Sequence, residues 1–110
     1  MDYISYHERL VAELNHKINR AGGSVYLFGA HIFAQYLVAF GLNTEKIVCI
    51  LDNDPNKQGK RLYGTDKMVA SPKILKDARN PSVILRAGVY NDEIKKDILQ
   101  NINGNVEFWE

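Results

Sequence analysis

The chain has 110 residues, 45% of them hydrophobic and 25% charged, the size and composition of one compact globular domain. Its formal net charge of +1, from 14 basic and 13 acidic residues, excludes a general field for nucleic acid or an anionic membrane, so any anion site must be local. Cys49, the single cysteine, lies in the apolar run IVCIL. That excludes an intramolecular disulfide and a thiolate zinc site and points to a reducing cytoplasm. No apolar run approaches the roughly 18 residues of a membrane span, and the charged amino-terminal segment holds no secretory core.

In chain order, DYISYHERLVAELNHKINRAGG sets Tyr3, His7, Leu10, Val11, Leu14 and Ile18 at helical spacing, with Gly22 and Gly23 as the stop. Residues 1–24 thus read as an amphipathic helix and linker, and 25–110 as the domain proper. VYLF is a short β-branched and aromatic strand, followed by a helix from about His31 to Phe40 that ends at Gly41. KIVCIL is a second strand whose five successive apolar residues leave no face for water. DNDPNKQGKRLYGT is a loop, MVA a third short strand, and SPKILKDARN a short helix with Ser71 as N-cap and Pro72 at its first position. VILRAG, YNDEIKKDILQNI and VEFW complete the series as strand, helix and strand.

Strands alternating with helices predict an α/β fold, a mostly parallel five-stranded sheet with helices on both faces and right-handed crossovers. The expected order 3-2-1-4-5 makes this a single Rossmann-like unit. In such a sheet the first and fourth strands are neighbours whose chains leave in opposite directions, opening a crevice beyond their carboxyl ends. Its expected walls are Gly29 to Ile32, Asp52 to Asp54 and Gly88 to Asn91.

A dinucleotide fingerprint needs three glycines, and this turn has one, Gly29; His31 stands at the second position and Ala34 at the third. A side chain at the second position crowds the approach of a pyrophosphate, which disfavours NAD in its usual pose. The amides of residues 30 to 32 remain suited to one phosphate or carboxylate. Asp52, 23 residues beyond Gly29, is spaced to bind a ribose diol, or else to end its strand and cap the turn at Pro55. His31 reads either as a solvent-facing residue at a helix start or as a weak candidate general base. His7 and His16 lie nine residues apart and form no metal pair. Lys57, Lys60 and Arg61 sit in the loop beside the crevice, where basic residues close over phosphates or are merely solvated. Tyr63 and Tyr90 are candidate stacking platforms, Tyr90 the better placed; Trp109 reads as core or edge packing.

Three segments in the same order, FGAHIFAQYLVAFGL, LDNDPNKQGKRLYGTDKMVASPKIL and GVYNDEIKKDI, resemble the carboxyl-terminal domain of sugar C-methyltransferases. These act on nucleotide-linked deoxysugars with S-adenosylmethionine. The middle segment, similar to the family's D-x-N-P-x-K-x-G loop, PGT element and SP-initiated helix, is the most specific. The resemblance implies a Rossmann-like unit that packs on a methyltransferase domain and helps hold the nucleotide sugar, with contacts from Gly29, Ala30, Asn53, Lys57, Gly64, Tyr90 and Asn91. S-adenosylmethionine belongs, on this reading, to the partner domain, and no cofactor is assigned to this chain. The chain is then expected to be an excised piece or a free-standing relative. Two other classes of function stand beside this one. One is a small NAD(P)- or nucleotide-binding enzyme using His31. The other is a structural or oligomerisation domain whose first helix docks a second copy.

Overall fold

A computed structural model describes residues 3–29, 32–62 and 64–110. Five strands form one all-parallel sheet: β1 (Val25–Phe28), β2 (Ile47–Leu51), β3 (Val69–Ala70), β4 (Ser82–Leu85) and β5 (Glu107–Trp109). Their order is β3-β2-β1-β4-β5, as the alternation of elements predicts. Among the described residues three α-helices accompany them, α1 (Tyr3–Arg20), α2 (Ile32–Ala39) and α3 (Asn91–Asn101), with a 3-10 helix at Pro72–Asp77.

β1 lies at the centre and is buried along its whole length. Because side chains alternate across a strand, its four residues feed two cores. Val25 and Leu27 pack with Val11, Leu14 and Ile18 of α1, Ala34 and Leu37 of α2, and Ile84. Tyr26 and Phe28 face the opposite layer, with Leu75 of the 3-10 helix, Ile98 of α3, and Val83 and Leu85. Helix α1 therefore shares a core with the sheet through Val11, Leu14 and Ile18. Its Asn15 fastens the next connection, accepting from the Asn43 amide at 2.6 Å and donating to the Gly41 carbonyl at 3.0 Å.

Helix α2 ends as its sequence predicts. Gly41 takes φ +98°, its amide donates to the Val38 carbonyl, and the Leu42 amide reaches back to Leu37, the paired bonds of a Schellman cap. The stop after α1 works differently. Neither Gly22 nor Gly23 is left-handed, and Ala21 closes the last turn through the Ile18 carbonyl.

Two elements depart from the sequence reading. β2 is not buried throughout, since Val48 is 55% exposed. Between the pairs Val25↔Ile47 and Leu27↔Ile50, β2 advances three residues while β1 advances two. This bulge puts Ile47 and Ile50 in one core and Cys49 and Leu51 in the other, leaving Val48 as the extra residue. The segment after Ser71 is the short helix expected, of 3-10 type, started by the Ser71 hydroxyl accepting from the Lys73 amide at 3.2 Å. The fourth strand stops at Leu85, because Asn91 takes the Ala87 amide with its side chain and turns the backbone out of the ladder.

Cys49 lies in the core opposite α1, and burial pushes its thiol pKa up. A hydroxyl there must find a partner among apolar neighbours, so Cys49→Ser is expected to cost about 1–3 kcal/mol. A melting midpoint unchanged from wild type, read by circular dichroism, would contradict this.

Candidate functional site

The switch point lies where predicted. Phe28 pairs with Leu85, so the chain leaves neighbouring strand ends side by side, β1 toward α2 on one layer and β4 toward α3 on the other. Gly29 has φ +104°, and its amide donates to the Leu51 carbonyl at 2.6 Å, tying the turn to the end of β2. Across the crevice Gly88 has φ +61° and opens a single 3-10 turn, Gly88–Tyr90, closed by the Tyr90 amide on the Ala87 carbonyl. Both strand ends thus turn through backbone conformations that suit glycine. Ala30, His31 and Tyr63, assigned to the site from sequence, lie outside the described residues.

Asp52 follows β2 and is part-buried. Its Oδ1 accepts from the Asp54 amide at 2.9 Å, its carbonyl accepts from the Gln58 side chain at 2.8 Å, and Lys57 Nζ stands 3.9 Å from Oδ2. Asp54 repeats the pattern, accepting from the Asn56 amide. The carboxylates therefore build the turn around Pro55, the capping role weighed from sequence. Asp52 and Lys57 form a loose ion pair, and Asn53 is exposed beside them.

Asn91 is a fastener. Its Oδ1 accepts from the Ala87 amide at 2.6 Å, while Nδ2 faces the Leu85 carbonyl at 3.4 Å and Glu110 Oε1 at 3.3 Å. Glu110 also accepts from Lys95 Nζ at 2.9 Å, a bond that holds its carboxyl below and the ammonium above their ordinary ranges. Arg86, Gly88, Asn91 and Glu110 line an open depression of about 310 Å³ at the ends of β4 and β5. The Gly88–Tyr90 turn leaves Val89 and Tyr90 91% and 62% exposed. Gly64, with φ +83°, lies in a different hollow, lined with Arg61, Leu62, Thr65 and Asp66 in the hairpin closed by the Arg61↔Met68 bridge. The structure thus brings Gly29, Asp52, Asn53, Lys57, Tyr90 and Asn91 to the carboxyl edge of the sheet and sets Gly64 in that hairpin.

Sequence reasoning missed a cavity of about 350 Å³ between the 3-10 helix and α3, reached by Asn53 and lined also by Ser71, Pro72, Lys73, Lys76 and Ile102. The signal available was the Lys73-x-x-Lys76 spacing directly after the Ser-Pro helix start. Among the described residues, no group of three His, Cys, Asp or Glu side chains could hold a metal ion, and no helix is long and apolar enough to cross a membrane.

Sheet order, switch point and paired glycine turns define a Rossmann-like α/β domain whose two glycine turns lie at the carboxyl edge. The chain belongs to the C-methyltransferase C-terminal domain family, whose profile matches residues 2–108. The three motif segments implied that family. A comparison with curated proteins finds no match.

Proposed function

We propose that this domain binds a nucleotide sugar in the crevice beyond β1, β2 and β4 and holds it for methyl transfer carried out by a methyltransferase domain. The observation that carries the reading is the exposed Val89–Tyr90 pair on a tight turn at the switch point. An aromatic ring and a branched aliphatic side chain left in water there contribute little to either core. They suit the face of a base or the apolar face of a sugar ring. Asn53 and the Lys57 region close the far side, and Gly29 keeps the floor free of a Cβ.

S-adenosylmethionine supplies the methyl group in such a system and belongs, on this reading, to the methyltransferase domain. No step is assigned to it here. NAD in its usual pose is disfavoured because His31 stands where the fingerprint needs its second glycine. Calorimetric titration with uridine and thymidine diphosphate sugars, NAD and S-adenosylmethionine tests the reading. Nucleotide-sugar binding tighter than NAD binding is the expected result. Low-micromolar NAD affinity without nucleotide-sugar binding would favour the small-enzyme reading, and no ligand at all the structural one.

Tyr90→Ala separates a stacking platform from a passive turn. The side chain is mostly exposed, so the melting midpoint should hold, while nucleotide-sugar affinity falls by roughly tenfold, the scale of one lost base or ring contact. Unchanged affinity would remove Tyr90 from the site.

A further inference from the structure

In the 3-10 helix Pro72–Asp77, residues three apart lie one above the other, so Lys73 and Lys76 share one row. Both line the 350 Å³ cavity that Asn53 and Ser71 also reach. Its apolar side is made by Pro72, fully buried, and Ile102, half-buried. The acidic residue on the α3 side is Asp97, whose Oδ1 accepts from Asn101 Nδ2 at 2.8 Å. Neither lysine is ion-paired with a described carboxylate. Two ammonium groups against the single Asp97 carboxylate leave the lining with an excess of positive charge. An anion with charge on neighbouring oxygens would offset it, with the Asn53 amide as a further polar contact.

We infer that this cavity is a diphosphate subsite in which Lys73 and Lys76 receive the phosphates of the bound ligand. The inference rests on the nucleotide-sugar reading for the ligand's identity and extends the site to a second layer of the fold. Asn53 is the link. It follows β2 at the carboxyl edge of the sheet and reaches the cavity on the α3 side, so a ligand spanning both would extend from the sheet edge to the lysines. Binding should weaken as salt is raised, because both ammonium groups are exposed.

The test uses inorganic pyrophosphate, which carries the charge without base or sugar, followed by nuclear magnetic resonance on the isotope-labelled chain. Pyrophosphate is expected to shift the amide signals of Asn53, Lys73 and Lys76. The double variant Lys73→Ala/Lys76→Ala should bind it roughly tenfold more weakly, and Lys73→Arg/Lys76→Arg should stay near wild type. Equal affinity in the alanine variant, shifts confined to the Gly88–Tyr90 turn, or no shifts at all would overturn the subsite. The two readings fail separately. If nucleotide sugars bind with no loss in the alanine variant, the subsite falls and the function stands. If pyrophosphate occupies the lysines but no nucleotide sugar binds, the anion site stands and the proposed function falls.

Discussion

Gly29→Val is expected to abolish nucleotide-sugar binding while a folded fraction remains, and Gly29→Ala to weaken both folding and binding. The cause lies in one dihedral angle. Gly29 sits at φ +104°, where an L side chain is strained, and it leaves β1 at the point where the crevice opens. Alanine in that conformation should cost roughly 1–2 kcal/mol, and valine more, since a β-branched residue tolerates positive φ worst. The turn cannot simply relax, because the Gly29 amide is held by the Leu51 carbonyl at 2.6 Å. A glycine needed only for its conformation predicts loss of stability alone. A glycine that also lines a binding site predicts loss of affinity beyond what unfolding explains. Melting curves together with calorimetry well below the transition distinguish the two. Normal melting in both variants with an unchanged affinity for a nucleotide sugar would place the site elsewhere.

The fold was legible because its signals are local and redundant. VYLF gives β1 without a residue's error, Gly41 caps α2 in the conformation its position demands, and the alternation of elements yields the strand order. What escaped the sequence depends on pairing between strands. Val48 looks as apolar as its neighbours, and only the three-against-two register with β1 turns it outward. The positions of the candidate residues were legible, their structural roles less so. Asp52 and Asn91 stand at the predicted edge, yet hydrogen bonds to the Asp54 and Ala87 amides make both of them builders of turns. Those partners come from how each turn folds, which residue identity leaves open. Lys73 and Lys76 escaped for a similar reason: two lysines on a short helix read as a solvated face until Asn53 and Ile102 are brought against them.

Gly22 and Gly23 carry this to a single pair of adjacent, identical residues. From sequence both read as a helix stop, and neither has the left-handed backbone that role favours. A Cβ on Gly22 would meet nothing within 4 Å, so Gly22→Ala should be neutral or stabilising by about 0.4–1 kcal/mol through a less flexible unfolded chain. A Cβ on Gly23 would strike the backbone between α1 and β1 against the segment leading into β4. It would lie 3.0 Å from the Arg79 carbonyl oxygen and closer still to that of Asn80. Neither oxygen can yield easily. Asn80 already holds φ +49°, and the Ser82 amide two residues on is bound to the Ser24 carbonyl at 2.8 Å, where the central strands begin their pairing. Gly23→Ala is therefore expected to cost about 2–4 kcal/mol, a fall of roughly 10 °C or more in the melting midpoint. Parallel thermal melts of the two alanine variants decide it. Equal midpoints would mean that β1 and β4 start farther apart than the structure has them.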